Sequence, residues 1–300
     1  MSTLRLLASI WKATNKMKRL LRRGNAGRCL FCVEERDYNM KKLRLGIAGT
    51  GYLSQIVVDA WKNGLLEEYE LAGVFGRNEE STGKMAADAG CKACKDVDEL
   101  LELKPDYIAE AASVACVKDM AVKVLSAGCN LVVLSIGAFA DSEFLEQVKQ
   151  TAREHGTKVH IASGAVGGFD VLRTVSLMGQ ATAGIETRKG PASLRNTPLF
   201  EEHLMTDTDS TNVFNGNAKE AIALLPTKVN VAVATSLATT GPEHTSVSIH
   251  SVPGMVGDDH KITAEIEGVK AVVDIYSSTS AIAGWSVVAL LRNLVSPIVL

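Results

Sequence analysis

The sequence lacks an apolar run long enough to cross a membrane. Its longest uninterrupted apolar stretches lie around residues 131–140 and 281–291, whereas a membrane-spanning helix needs about 18 to 20 apolar residues. Disorder, a collagen repeat and a small disulfide scaffold are also excluded, because 46% of the 300 residues are hydrophobic and 22% are charged. This composition is typical of a globular chain with about two domains.

Cysteine is sparse as well. The chain has six cysteines and no apolar signal-peptide core at its start, which favours a reducing compartment and free thiols. Two Cys-x-x-Cys pairs, at 29–32 and 91–94, could in principle bind zinc through four thiolates. However, 58 residues lie between the pairs, and the first pair precedes the predicted domains. We therefore expect no metal site.

The body of the chain has no excess of positive charge. The net charge is −2, but residues 1–39 hold nine Lys or Arg against three acidic residues, which leaves 23 basic and 31 acidic residues in the remainder. Binding to nucleic-acid phosphates requires clustered cations. We therefore expect a small-molecule substrate, with neither nucleic acid nor a membrane as a partner.

The first 39 residues differ from the rest. No acidic side chain occurs from residue 1 to 28, and Leu4, Leu7 and Trp11 recur at nearly helical spacing among many Lys and Arg residues. This composition resembles an organellar transit peptide. Because a strand-like segment follows Met40 at once, a dispensable or wrongly assigned extension is the other interpretation. We expect a cytoplasmic protein, or a mitochondrial or other organellar one if residues 1–39 are a transit peptide.

Strand and helix patterns alternate after Met40. Strands are predicted at 43–48, 70–75, 107–111, 130–134 and 158–162, and helices at 56–61, 84–89, 118–125 and 142–154. Short links between such elements require a parallel sheet with right-handed crossovers. We predict an α/β fold in which residues 40–165 form a Rossmann-type, doubly wound, NAD(P)-binding domain.

The pattern changes after Ser163. Alternating segments predict strands at 183–188, 245–250, 261–267 and 271–275, with helices at 218–225 and 231–239. We predict that residues 166–300 form an α+β substrate domain with an open, mostly antiparallel sheet. The apolar segment 281–294 is predicted to be a long helix that packs on one of the two domains.

The first predicted strand runs into the segment GTGYLS at residues 49–54. Gly49 permits a tight turn, and Gly51 allows the backbone to approach a pyrophosphate at a helix N-terminus. Ser54 replaces the third glycine of this fingerprint. An ordinary tight turn is the alternative, but the position at the first βα turn favours a dinucleotide. The expected cofactor contacts here are Gly49, Gly51, Tyr52 and Leu53.

The second strand ends without the acidic residue that usually holds the adenosine ribose. Gly76 and Arg77 stand there instead. A small residue followed by an arginine leaves room for a 2′-phosphate and supplies a cation to bind it. We therefore predict that the cofactor is NADP or NAD, with NADP accepted at least as well. A solvated surface charge is the alternative for Arg77.

Several segments resemble the L-aspartate dehydrogenase family in their order and spacing. The segments are DYIAEAAS (106–113), LVVLSIGAFAD (131–141), SGAVGGFD (163–170), TRKGP (187–191), FNGNAKEA (214–221) and LPTKVNVAVATSLA (225–238). The resemblance covers about residues 40–295. It implies that L-aspartate is oxidised by NAD(P)+ to iminosuccinate, which hydrolyses to oxaloacetate and ammonia or enters pyridine nucleotide biosynthesis.

The resemblance also implies site residues. Ala165 and Asn230 match cofactor-contacting positions of the family, and His260, in an apparent loop, matches its active-site histidine. An imidazole with an ordinary pKa of ~6.5 can accept the proton that the substrate amine must lose. A dicarboxylate also needs cations. The candidates are Arg188, Lys189 and Lys228, with solvated surface charges as the alternative.

Three departures from the family pattern leave the substrate open. Asp259, directly before the histidine, adds negative charge near the expected substrate carboxylates. The segment 268–278 is short, and Ser54 replaces a glycine. A non-catalytic NAD(P)-binding sensor and a dehydrogenase of another small amino or hydroxy acid are therefore alternatives.

The chain is also expected to form oligomers. Apolar faces are expected to be exposed on the second sheet and on the helix at 281–294. Such faces, together with the family resemblance, predict a homodimer or a larger homo-oligomer.

Overall fold

The structure is a computed structural model that describes residues 41–226 and 229–299. The N-terminal extension 1–39, with Cys29 and Cys32, lies outside the described residues. The same holds for Lys228, one of the candidate substrate cations.

Six parallel strands form the first sheet, in the order β3-β2-β1-β4-β5-β6. These strands are β1 Leu43–Ala48, β2 Tyr69–Phe75, β3 Lys92–Cys94, β4 Tyr107–Glu110, β5 Asn130–Val133 and β6 Val159–Ile161. The order reverses between β1 and β4, and ligands of such sheets bind beyond the carboxyl ends of the strands at that point. The predicted Rossmann-type sheet is confirmed.

Helices connect these strands and cover both faces of the sheet. They are α1 Tyr52–Lys62, α2 Glu79–Ala89, α3 Val97–Glu102, α4 Val114–Ser126 and α5 Ser142–His155, with a 3₁₀ helix at Ile136–Ala140. Two separate apolar clusters lie on the two sides of the sheet. The run of buried apolar residues at 131–133 in β5 is explained by this double coverage.

Five strands form the second sheet, in the order β11-β10-β7-β9-β8. They are β7 Thr182–Lys189, β8 Thr211–Asn217, β9 Thr245–Ser251, β10 Asp258–Ile266 and β11 Val269–Ser277. Only the β7–β9 pairing is parallel among the four pairings. The prediction of a mostly antiparallel sheet is therefore confirmed.

Within the part of the chain that the structure describes, helices cover one face of the second sheet and leave the other open. The covering helices are α6 Phe169–Leu177, α7 Ala218–Leu224 and α8 Asn230–Ala238. Their apolar side chains share a core with the inner residues of β7, β9 and β10, such as Ile185, Ile249 and Ile262. The face that the helices cover is called the inner face below.

The expectation of an apolar outer face on this sheet is wrong. Its residues are mostly polar, and a cavity of about 540 Å³ there is lined by Glu186, Lys261 and Thr263 among others. Val272 and Tyr276 are the large apolar side chains exposed on this face, at 48% and 60%. The alternation of the strands places polar residues here because this face meets solvent.

The last helix, α9 Ala281–Val295, packs on the first sheet and on α1. Val287, Val288 and Leu291 are buried in the core of that sheet, and the Tyr69 hydroxyl donates a hydrogen bond to the Leu291 carbonyl at 2.8 Å. The predicted return of this segment to one of the domains is confirmed. None of the described helices is both long and apolar enough to span a membrane.

Several short elements were not predicted from the sequence: β3, β8, α3, α6 and the 3₁₀ helix. Cys94 lies on the edge strand β3. A three-residue strand leaves too short a pattern to recognise, and it forms because Lys92–Cys94 pair with β2.

Candidate active site

The glycine loop between β1 and α1 has the geometry of a nucleotide cradle. Gly49 has φ +110°, and a Cβ atom there would lie 2.7 Å from the Ala111 carbonyl oxygen, so only glycine fits. A Cβ atom on Gly51 would meet nothing within 4 Å. Gly51 is the N-cap of α1 and offers no side chain to the first N–H groups of that helix. These groups are thus available to a pyrophosphate.

A cavity of about 630 Å³ adjoins this loop. Its walls come from the ends of β1, β2 and β4 and the starts of α3 and α4, and include Thr50, Gly76, Arg77, Asn78 and Lys95. A Cβ atom on Gly76 would lie 2.8 Å from Thr50, which explains the small residue at this position. The cavity has the size of a small-molecule site, and the cradle and cavity together fit a dinucleotide.

Arg77 lies exposed at this cavity, and Lys95 lines it too. Lys95 was not recognised in the sequence, because the third strand and its following loop had not been predicted. Asp96 and Asp119 also line the cavity. Arg77 lies just after β2 and Lys95 just after β3, and no acidic residue directly follows β2. Two cations in this position suit a phosphate better than a ribose hydroxyl.

Ser54, at the third position of the fingerprint, is fully buried in α1. Its hydroxyl donates a hydrogen bond to the Ala111 carbonyl at 3.4 Å. The side chain therefore links α1 to the loop after β4. Close packing of helix and strand, which the third glycine normally allows, is maintained here with a serine.

Glu110, at the carboxyl end of β4, is a buried residue that sequence reasoning missed. Its carboxylate accepts hydrogen bonds from the backbone N–H groups of Ala112, Ser113, Leu134 and Ser135 and from the Ser135 hydroxyl. Burial raises the pKa of Glu110, and these donors oppose the shift. The sequence does contain a signal for this role: Glu110 is an acidic residue inside an otherwise apolar strand, and a buried carboxylate requires hydrogen-bond partners.

Asn230 and Ala165 lie where the first sheet meets the second part of the chain. The Asn230 side-chain oxygen accepts a hydrogen bond from the Gly137 N–H at 2.9 Å, which joins α8 to the 3₁₀ helix after β5. Ala165 lies in the loop after β6, where the Gly164 N–H donates to the Ser286 hydroxyl on α9 at 3.0 Å. Both residues are thus held at the carboxyl edge of the first sheet.

The loop that carries Ala165 also reaches β11. A Cβ atom on Gly167 would lie 3.9 Å from the Ile275 side chain. Ile275 is directly opposite His260 in the β10–β11 pairing. The loop after β6 is therefore next to the neighbour of His260 in the second sheet.

His260 lies in the middle of the sheet and not in a loop, which corrects the expectation. It is a residue of β10, is 3% exposed, and is directly opposite Thr187 of β7. Its Nδ1 atom is 3.0 Å from the Thr187 hydroxyl oxygen. Burial lowers the pKa of His260 to about 4; the Asp258 carboxylate opposes the shift and the Lys189 ammonium adds to it. The ring is therefore neutral at neutral pH.

A row of polar residues crosses three strands next to His260. Lys189 of β7 pairs in register with Ser251 of β9 on one side and with Asp258 of β10 on the other. The Lys189 side chain is only 3% exposed, and its Nζ atom is 3.4 Å from an Asp258 carboxylate oxygen. The Ser251 hydroxyl is buried and has no hydrogen-bond partner in the part of the chain that the structure describes.

Arg188 and Asp259 lie on the outer face, away from this row. Arg188 is 55% exposed and pairs with Glu186 at 2.7 Å. Asp259 has an Oδ1 atom without a hydrogen-bond partner among the described residues, and burial and the neighbouring Asp274 raise its pKa. The structure therefore does not bring Arg188 to the predicted site. Likewise, the negative charge near the site comes from Asp258 and not, as expected, from Asp259.

No metal centre is present among the residues that the structure describes. None of the His, Cys, Asp and Glu side chains in those ranges form a group of three or more that could hold an ion. Burial raises the pKa of Cys91 to about 11.

Comparisons with known proteins match both halves of the chain. A family model described as "Aspartate dehydrogenase, C-terminal" matches residues 170–294. Another, "Homoserine dehydrogenase, NAD binding domain", matches residues 45–162. The boundary between the matches falls in the loop that carries Ala165.

Similar proteins cover almost the same length. The L-aspartate dehydrogenase of Methanococcus maripaludis strain C5 is 32% identical over 265 residues, which is 85% of this chain and 98% of the relative. That of Methanosarcina acetivorans is 33% identical over 270 residues, with the same coverage. A crystal structure of aspartate dehydrogenase from Thermotoga maritima has a similar fold, with a TM-score of 0.66 and 24% identity over 87% of this chain and all of that one.

Proposed function

The chain belongs to the aspartate dehydrogenase family and is an NAD(P)-dependent amino-acid dehydrogenase; we propose that it oxidises L-aspartate, with His260 as the residue that accepts the substrate's proton. The observation that carries this proposal is the position of His260. Its neutral, buried ring lies beside the Lys189 ammonium. His260 is also paired with Ile275, whose side chain approaches the loop that carries Ala165.

Residues at the carboxyl edge of the first sheet would hold the cofactor, together with Asn230 of α8. Gly49, Gly51, Tyr52 and Leu53 would surround the pyrophosphate at the start of α1. Arg77 with Lys95 would bind the 2′-phosphate of NADP, while Asn230 and Ala165 would contact the nicotinamide half. When bound, NAD(P)+ supplies the hydride acceptor, and the protein supplies position and charge.

His260 suits the task of a proton acceptor. If its Nδ1–H group donates to the Thr187 hydroxyl, the Nε2 lone pair is directed away from Thr187 and can receive a proton from the substrate amine. A pKa of about 4 makes the free ring a weak base. Substrate carboxylates bound beside it would raise this pKa, because they stabilise the imidazolium and neutralise Lys189.

Lys189 is the candidate carboxylate partner that the structure supports. It is buried, and it lies in the row next to His260. Arg188 points to the opposite face and is left out of this proposal, and Lys228 remains a prediction outside the described residues. Loss of hydride and one proton from L-aspartate yields iminosuccinate, and addition of water then releases ammonia and oxaloacetate.

The experiment is a comparison of His260→Gln with wild type in the full chain, with L-aspartate and each of NAD+ and NADP+. We expect the rate constant to fall about 10²- to 10⁴-fold, while cofactor binding, followed by fluorescence of the reduced nucleotide, is unchanged. His250→Gln is the matched control, because His250 lies on the outer face of β9. An unchanged rate in His260→Gln would exclude the proposed role. Turnover of another amino or hydroxy acid, or of none, would favour the alternative functions.

We further propose a homodimer or larger homo-oligomer that acts in the cytoplasm, or in mitochondria or another organelle if residues 1–39 are a transit peptide. Two apolar side chains support an assembly: Val272 and Tyr276 are exposed on the otherwise polar outer face of the second sheet. Light scattering tests the oligomer, and a monomeric mass would contradict it. Fluorescent fusions with and without residues 1–39 test the location.

A further inference from the structure

We propose that Asp258 binds the ammonium group of the substrate beside His260, while Lys189 and Ser251 bind one of its carboxylates. This inference rests on the proposed dehydrogenase function and adds a basis for its specificity. The site would select α-amino acids over hydroxy acids and over acids without an amino group.

The three side chains form one straight row on the inner face. Ser251, Lys189 and Asp258 occupy the same level of β9, β7 and β10, and neighbouring strands are about 4.8 Å apart. The row therefore presents a hydroxyl donor, a cation and an anion in that order. An α-amino acid carries its carboxylate and ammonium on the same carbon, so that it can contact Lys189 and Asp258 at once.

The unpartnered hydroxyl of Ser251 is an independent indication that the row binds a ligand. Its oxygen atom is buried and makes no hydrogen bond within the described ranges 41–226 and 229–299. Buried hydroxyl groups are nearly always paired, because an unpaired one loses its water without compensation. A ligand carboxylate next to Lys189 would accept a hydrogen bond from this hydroxyl.

Asp258 has the charge and position to hold an ammonium group. Its side chain is 39% exposed, in contrast to the 3% of Lys189, so a ligand can reach it. Asp258 and His260 lie on the same face of β10, roughly 6.8 Å apart along the strand. A group between them can contact both side chains.

This placement defines the proton transfer. The ammonium that Asp258 binds loses one proton to Nε2 of His260: an N–H bond of the substrate breaks, an Nε2–H bond forms, and the electron pair stays on the substrate nitrogen. Asp258 also stabilises the imidazolium that results, since its carboxylate favours the charged ring. A hydroxy acid has no ammonium group, so it would not neutralise the negative charge of the Asp258 carboxylate.

The test measures ligand binding in place of turnover. L-Aspartate and succinate, which lacks the amino group, are titrated calorimetrically into the full chain saturated with NADPH at neutral pH. We expect wild type to bind L-aspartate at least about 10-fold more tightly than succinate, the effect of one charge-assisted hydrogen bond. In Asp258→Asn this ratio falls towards one, with succinate bound as tightly as before or more tightly.

Asp259→Asn is the matched control, because the neighbouring carboxylate lies on the outer face of the same strand. It should keep the wild-type ratio. Ser251→Ala should weaken both ligands by the same factor, about 10-fold, since both carry the carboxylate. Ser248→Ala, on the outer face of β9, should weaken neither. Thermal unfolding and NADPH binding verify that each variant is folded.

Two outcomes would overturn the role of Asp258. In the first, the Asp258→Asn variant keeps the wild-type ratio of affinities for L-aspartate and succinate. In the second, wild type is tested with a panel of amino acids and their analogues without the amino group, and it binds no amino acid more tightly than its analogue. A preference for an amino acid other than aspartate, lost in Asp258→Asn, would support the role of Asp258. That result would refute aspartate as the substrate, so the two proposals fail separately.

Discussion

The Ser135 hydroxyl donates a hydrogen bond to the Glu110 carboxylate at 2.7 Å, and the contact joins the ends of β4 and β5. The same carboxylate accepts from backbone N–H groups in the loops that follow both strands. One of these loops contributes to the glycine-loop cavity, and the other leads to Gly137 and Asn230. Glu110 therefore holds the loops after β4 and β5 in place at the cofactor site.

Replacement of Glu110 by Gln should destabilise the protein and weaken cofactor binding. Gln places an NH₂ group against hydrogen-bond donors, so at least two of the five bonds are lost and buried groups stay unpaired. We expect a loss of about 2–4 kcal/mol in the free energy of unfolding. Chemical denaturation and NADPH titration measure both effects. Glu67→Gln, at an exposed position, should change stability by less than about 0.5 kcal/mol. Wild-type stability in Glu110→Gln would contradict this role of the carboxylate.

His260 should make stability depend on pH. Its pKa is about 4 in the folded chain and 6.5 when unperturbed, so the unfolded chain binds more protons between these values. The contribution of His260 to the free energy of unfolding is therefore fully present above pH 6.5 and is lost as the pH falls to 4. The loss amounts to ~3 kcal/mol. Denaturation curves across this range should show a smaller fall for His260→Gln than for wild type. Equal slopes in the two proteins would disprove this assignment.

Arg77→Ala should change the preference between the two cofactors. Because Arg77 lies at the rim of the nucleotide cavity, we expect binding of NADPH to weaken about 10-fold, with NADH unaffected. Equilibrium titration with both nucleotides provides the measurement. Arg153→Ala, an exposed change on α5, is the control. If NADPH and NADH respond alike, Arg77 is only a surface charge.

Gly284→Val, on α9, should displace the glycine loop between β1 and α1, although Gly284 is not part of that loop. A Cβ atom at Gly284 would lie 2.9 Å from the Ile56 side chain and 3.1 Å from the Leu53 carbonyl oxygen, so a larger residue forces α9 away from α1. We expect a loss of about 1–3 kcal/mol in stability and weaker NADPH binding. Ala289→Val, on the exposed side of the same helix, should have little effect on either. Unchanged nucleotide affinity in Gly284→Val would show that α9 does not position α1.

Most of the long elements could be predicted from the sequence because their patterns are local. The strands near residues 43–48 and 130–134 and the helix at 142–154 were placed within a few residues of their observed ends. Periodic apolar residues next to glycine turns carry that information. Strand β8, with its polar segment TNVFNGN, lacks such a pattern and forms through its pairing with β9.

The alternation of strands and helices, the glycine turn at Gly49 and the family membership can all be read from the sequence, because each depends on contiguous segments. Strand pairing in the folded chain settles which of two adjacent cations, Arg188 or Lys189, lies on the same face of the sheet as His260. Successive residues of a strand point to opposite faces, and the face that becomes the site is the one that α8 covers. Likewise, Ser251, Lys189 and Asp258 form one row only because three strands, distant in the chain, pair in register.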